Sequence, residues 1–126
     1  MLKKNTINRY DKYKDSGIEW IGEIPENWSF SKLSWSAQFI NGFAFDSAQM
    51  DIDNQIPVIR IGDIQNGKVD YENCLKVNKD DNLEAYTVKL ADIVIAMSGA
   101  TTGKIATIDN EKKAYINQRV GIIRSK

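Results

Sequence analysis

The stretch Ser98-Gly-Ala-Thr-Thr-Gly-Lys104 combines three hydroxyls, one lysine and two glycines. A phosphate-cradling loop of this kind needs GxxxxGK followed by Ser or Thr, whose hydroxyl reaches Mg²⁺. Here Ser98 stands at the first glycine position and Ile105 follows the lysine. The metal-binding hydroxyl is missing and a β-branched run follows in place of a helix, so nucleotide binding is rejected. What remains is contact chemistry. Ser and Thr hydroxyls and free backbone N–H groups bond to phosphates and base edges, and lysine to phosphate or guanine. Gly99 and Gly103 let a partner approach the backbone closely. The same stretch also reads as a plain connection whose glycines take positive φ.

The rest of the inventory excludes more than it offers. The sequence has no histidine and a single cysteine, which removes Ser-His and Cys-His nucleophilic pairs and most zinc sites. No cofactor or metal is expected. Cys74 sits in a strand-like context and reads as a packed, inert thiol. Glu111-Lys112-Lys113, with Asp92 as an upstream carboxylate, is the nearest approach to a metal-dependent nuclease set. It falls in a polar turn, and a solvated turn is the better reading. Arg60 lies on the polar side of a strand, where it can reach a nucleic acid or pair with an acid such as Asp63. Phe43, Phe45, Trp20, Trp28 and Trp35 read as core anchors before ligand platforms.

The elements that must position these groups follow from periodicity. Residues 1–16 are polar and charged without helical or strand period and read as a flexible lead-in. Residues 17–126 then form one domain. Ser16–Trp28 carries Ile18, Trp20, Ile21, Ile24 and Trp28, interrupted by Gly17, Gly22 and Pro25, and reads as an irregular segment pinned by its tryptophans. Phe30, Leu33, Ala37 and Ile40 at spacings of three and four predict a short helix over Ser29–Ile40, stopped by Asn41-Gly42. Ile56–Ile64 predicts a strand with Pro57 near its start. Asn66-Gly67 predicts a hairpin turn returning through Lys68–Tyr71. Leu75–Val77 reads as a short strand, and Asp80–Ala85 as one or two helical turns capped by Asp80 or Asp81. Asp92–Ser98, Lys104–Ile108 and Ala114–Ile123 are strand candidates, the last two as a hairpin. The class is α+β and strand-rich: a curved mixed sheet with short helices and long loops.

With 126 residues, the chain suits one small domain able to bury a core without disulfides. The lone cysteine fits a reducing compartment. The basic start has no apolar signal core and no apolar run could span a bilayer, so a cytoplasmic protein without membrane contact is expected. The formal net charge is zero, which weighs against nucleic acid. Its distribution weighs the other way. Residues 1–14 carry five Lys/Arg and one acid, and residues 104–126 six Lys/Arg and two acids. A neutral chain can still present a basic face, and solvated ends explain the same pattern equally well.

Tyr13-Lys-Asp-Ser-Gly-Ile-Glu-Trp-Ile-Gly-Glu-Ile-Pro-Glu-Asn-Trp28 closely resembles the amino-terminal signature of type I restriction-modification specificity subunits. The likeness continues in register through Gly42-Phe-Ala-Phe45, through Ile56-Pro-Val-Ile-Arg-Ile-Gly-Asp-Ile64 with Asn66-Gly67, and through Ala91-Asp-Ile-Val-Ile-Ala-Met-Ser-Gly99 with Gly103-Lys104. It closes on Tyr115-Ile-Asn-Gln-Arg-Val120. Ala91 stands where the family often has glycine. The resemblance implies a target recognition domain that reads one half of a split sequence in double-stranded DNA, chiefly from the major groove. It implies no catalysis: methylation with S-adenosylmethionine would belong to modification subunits, and ATP-driven cutting to a restriction subunit. Such a domain would contact DNA through Arg60, Ser98, Thr101, Thr102, Lys104 and Arg119. Lys104 would supply electrostatic contact, and Arg60 and the hydroxyls readout. Asn117 and Gln118 would bond neighbouring backbone. A full family member has two such domains separated by long helices, so the resemblance also implies a truncated member. A fragment that binds modification subunits or a complementary half without reading DNA is the alternative expectation.

Overall fold

The computed structural model describes residues 10–126. The chain forms two compact units, divided in sequence between Lys32 and Leu33. In the first, β1 (Tyr13–Asp15) pairs antiparallel with β2 (Glu23–Pro25). The turn between them is closed by Ser16 N–H donating to Gly22 O at 2.9 Å, and by the Asp15 carboxylate accepting from Gly17 N–H at 2.9 Å. The expected lead-in therefore contains a paired strand, while its residues 1–9 lie outside the described ones. The segment read as irregular contains that strand's partner. Its tryptophans do not pin it: Trp20 is 85% exposed and Trp28 is half exposed.

The second unit opens with a single helical turn, α1 (Leu33–Ser36), and passes directly into β3 (Ala37–Asn41). The helix expected through Ile40 stops early because its last residues are needed as an edge strand. β3 runs antiparallel to the last strand, from Ala37 opposite Ser125 to Asn41 opposite Gly121. Ile40 faces the core and Phe39 the other side, an alternation of two that overrides the weak helical spacing.

The remaining strands are β4 (Ile56–Ile59), β5 (Ile64–Gln65), β6 (Lys68–Val69), β7 (Lys76–Val77), β8 (Ile93–Ala96), β9 (Ile105–Thr107), β10 (Tyr115–Ile116) and β11 (Val120–Ser125). They form a four-stranded sheet in the order β3-β11-β8-β9, a three-stranded sheet β10-β4-β7, and the hairpin β5-β6. Mixed pairing is confined to the three-stranded sheet, where β10 runs parallel and β7 antiparallel to β4. The fold class is α+β and strand-rich, as the sequence indicates. The expected hairpin of the last two strand candidates does not form. β9 pairs with β8, and the residues read as one closing strand are split into β10 and β11 by a turn at Asn117-Gln118-Arg119. The Ile56–Ile64 strand is likewise broken by a 3₁₀ turn at Ile61–Asp63. Asn66 and Gly67 both have positive φ, as the tight hairpin turn between β5 and β6 requires. The predicted turns after Asp80 form a 3₁₀ helix, with the Asp80 carboxylate accepting from Asn82 N–H at 2.9 Å.

β4 explains why its apolar run is continuous. Val58 faces a small cluster with Val77 and Tyr115, and Ile59 faces the main core with Ile64, Val94, Ile108, Ile116, Val120 and Ile122. Each such isoleucine or valine contributes about 1.5–3 kcal/mol on burial. Phe45 stacks on Tyr115 at 5.8 Å, and Phe43 meets Phe45 edge-on at 5.0 Å. The expected packing is seen for Phe45, which lies partly buried against the Tyr115 cluster, whereas Phe43 is exposed. Trp35 departs from the anchor reading: it is 69% exposed.

Candidate functional site

Three connections converge at one end of the four-stranded sheet. The first is the Ser98–Lys104 loop joining β8 to β9. Its Gly99–Thr101 segment is a 3₁₀ turn, and the loop is sewn shut by Gly103 N–H to Ala96 O (2.8 Å) and Lys104 N–H to Thr101 O (2.9 Å). Gly99 and Gly103 have φ of +76° and +88°, the conformation glycine supplies without steric cost. The second connection is the 3₁₀ turn after β4, which packs on the first. A Cβ on Gly99 would sit 3.0 Å from Ile61 Cδ1. The third is the turn between β10 and β11, held to the first by Met97 N–H donating to Arg119 O at 2.8 Å.

The six expected contact residues therefore share one region but not one orientation. Arg60 and Arg119 line a common depression of about 460 Å³ with Ile61, Gly62, Asn117 and Gln118. Lys104 and Thr102 are exposed on the neighbouring loop and do not line it. The Thr102 hydroxyl donates to Gly99 O at 2.7 Å, leaving its oxygen free to accept. Ser98 Oγ and Thr101 Oγ1 are turned inward, buried without a partner among the described residues. Asn117 and Gln118, both expected to bond neighbouring backbone, line the depression too, and the Gln118 side chain is exposed. Asn117 does act structurally: its backbone N–H donates to Ile59 O at 3.0 Å and its Oδ1 accepts from Phe45 N–H at 3.3 Å.

Arg60 and Asp63 are coupled twice. The Asp63 carboxylate accepts from Arg60 N–H at 2.9 Å, and Asp63 N–H donates to Arg60 O at 2.9 Å. The same carboxylate oxygen lies 3.7 Å from Arg60 Nε. Asp63 is buried beside Cys74, whose thiol is pushed up to about 12 by burial first and by the Asp63 negative charge second. At that value the thiol is protonated at neutral pH, which suits an inert packed side chain.

The carboxylates weighed for a nuclease are not gathered. Asp92 is buried and fully engaged with Arg124, accepting Nε at 2.9 Å and Nη2 at 2.8 Å, and it also caps Lys89 N–H at 2.7 Å. Glu111 is exposed in a turn. Among the described residues, no group of three or more Asp, Glu or Cys side chains could hold a metal ion. No helix of the described residues is long and apolar enough to cross a membrane.

A strand-rich α+β unit whose connections collect arginine, lysine and hydroxyl groups at one end fits a recognition module, and the comparisons give its family. The family described as "Type I restriction modification DNA specificity domain" matches residues 25–126, and the chain belongs to it. The specificity subunit of the StySPI type I restriction enzyme from Salmonella potsdam is 34% identical over 97 residues, covering 75% of this chain. The EcoKI specificity subunit of Escherichia coli K12 is 34% identical over 83 residues, 64% of this chain. The MjaVIII specificity subunit of Methanocaldococcus jannaschii is 29% identical over 128 aligned residues, 96% of this chain. The chain spans 21%, 18% and 30% of the length of these relatives respectively.

Proposed function

We propose that this chain is a DNA target recognition domain that reads one half of a bipartite duplex site. It performs no reaction itself: methylation and cleavage belong to modification and restriction subunits with which it would assemble in the cytoplasm. Arg60, Thr102, Lys104 and Arg119 supply the outward contacts. Ser98 and Thr101 contribute once their buried hydroxyls turn toward a bound duplex. The observation that carries this reading is the convergence of the turn after β4, the β8-β9 loop and the β10-β11 turn, which brings three cations to one end of the sheet.

The test is a competition assay against mixed duplexes across a salt series. Each phosphate neutralised on B-DNA adds about −0.9 to the slope of log K against log salt. Wild type should give a slope of about −2 to −3, and Lys104→Ala should reduce its magnitude by about one. Salt-independent or undetectable DNA binding would contradict the reading. A second reading, a fragment that docks on modification subunits or a complementary half, draws support from Leu33, Trp35 and Phe39, all large apolar side chains exposed on α1 and β3. It predicts co-purification with such a subunit and no salt slope with DNA.

A further inference from the structure

Two features of the depression are not explained by packing. Arg119 occupies the third position of a four-residue turn closed by Val120 N–H to Asn117 O at 3.1 Å, with φ of +70°. That backbone favours glycine, and a long side chain there is strained. Its carbonyl accepts from Met97 N–H, but no contact uses the long side chain: the Arg119 side chain is exposed and makes no hydrogen bond or ion pair among the described residues. Arg60 faces the same depression with its backbone bonded to Asp63, its Nε buried without a hydrogen-bond partner and its side chain 41% exposed. The buried Nε and the Asp63 carboxylate 3.7 Å from it restrict the guanidinium and offset part of its charge, leaving the outer nitrogens to meet a ligand.

Those properties select between the two acceptors a guanidinium meets on DNA. A phosphate contact depends chiefly on net charge, which the Asp63 carboxylate partly offsets at short range. A base-edge contact depends on a fork held in a fixed plane, which burial of Arg60 Nε beside the Asp63 carboxylate favours. Resting on the DNA-reading function above, we propose that Arg60 reads a guanine through its N7 and O6 in the major groove, with Asp63 as its positioning residue. Arg119 reads or flanks the adjoining position. The half-site of this chain contains that guanine.

The experiment selects bound duplexes from a randomised pool with the wild-type chain. Each guanine of the enriched sequence is then replaced by 7-deazaguanine, which lacks the N7 acceptor, or by inosine, which lacks only the minor-groove amine. One guanine should lose affinity on the order of 10-fold or more with 7-deazaguanine and little with inosine. Arg60→Lys keeps the charge but not the fork. It should abolish that discrimination while leaving the salt slope unchanged. Asp63→Asn should also lower the discrimination yet raise affinity for unrelated duplexes, because the offsetting charge is gone, an outcome that mere loss of stability would not produce. Thermal melting of each variant identifies any that fail to fold, and Arg60→Lys, which leaves the backbone bonds to Asp63 intact, decides the matter if Asp63→Asn does not fold. An enriched sequence with no guanine sensitive to 7-deaza replacement overturns the guanine assignment and leaves DNA reading standing. An unchanged sequence preference in Arg60→Lys, with a salt slope reduced by about one in Arg60→Ala, assigns Arg60 to phosphate instead. Failure to enrich any sequence overturns the DNA-reading function itself.

Discussion

At the scale of single residues, two non-glycine positions with positive φ separate structure from function. Ala91 (φ +74°) is the third residue of a four-residue turn closed by Asp92 N–H to Lys89 O at 3.0 Å. It stands where the family resemblance leads one to expect glycine, and nothing in its surroundings uses its methyl group. Ala91→Gly should raise the stability of the chain by about 1 kcal/mol, the relief of left-handed strain less the extra freedom of the unfolded chain. Chemical denaturation at constant m-value measures it, and an unchanged or lower midpoint would refute the strain argument. Arg119 has the same backbone but a side chain directed at the depression, so Arg119→Gly should stabilise the fold by a similar amount and weaken DNA binding. The φ of Arg119 was not legible in the sequence, where it falls inside the strand expected over Ala114–Ile123, and that of Ala91 was hinted only by its place at a family glycine position.

At the scale of elements, the site depends on how β3, β8 and β11 are fastened. The buried Asp92–Arg124 pair joins the start of β8 to β11, with Arg124 Nη2 also donating to Thr87 O at 3.0 Å. Its guanidinium is held charged, with a raised pKa, chiefly by its hydrogen bonds to Asp92. Asp92→Ala leaves that charge without its buried partner and should cost about 3–5 kcal/mol, read by thermal or urea unfolding. A loss below about 1 kcal/mol would mean that solvent replaces the carboxylate. Gly42 allows the turn between β10 and β11 to lie against the end of β3: a Cβ there would overlap Asn117 O. Gly42→Ala should therefore destabilise by about 3 kcal/mol and displace Asn117 to Arg119, lowering DNA affinity beyond what stability alone accounts for.

Much of this element layer was readable. The Asn66-Gly67 hairpin, the Asp80 cap and the short apolar strands each carry a local signal that needs no partner. What was not readable depended on partners distant in sequence. Ala37–Ile40 has helical spacing but lies opposite β11, and the ladder decides its conformation. Lys104–Ile108 and Ala114–Ile123 look like neighbours, yet β8 comes between β9 and β11. The tryptophans carried no signal of their exposure, because their hydrophobicity is compatible with either a core or a surface. Asp63 was visible as a possible partner of Arg60, but not that the same carboxylate would be buried and bonded to the Arg60 backbone.

At the scale of the whole molecule, the basic carboxy-terminal stretch is less available than its composition implies. Of the six Lys/Arg in residues 104–126, Arg124 is paired with Asp92 and Lys113 with Glu84 at 2.7 Å. Lys112 lies over the Tyr71 ring at 5.7 Å, and Lys126 Nζ donates to Ser34 O at 2.7 Å. Lys104 and Arg119 remain at the candidate site. With Arg60 they give a small cationic footprint, consistent with a moderate salt slope and with specificity drawn from oriented side chains more than from net charge. Since the chain spans less than a third of its relatives' length, the affinity of a complete half-site reader would gain further from linkage to a second one.

The central claim is that the converging connections form the DNA-reading face, and amide NMR of the ¹⁵N-labelled chain titrated with its selected duplex tests it most directly. The account predicts shifts concentrated at residues 60–62, 98–104 and 117–119, with α1 and β3 little changed and an unrelated duplex producing far smaller effects. Shifts centred on α1 and β3, or equal responses to both duplexes, would contradict it.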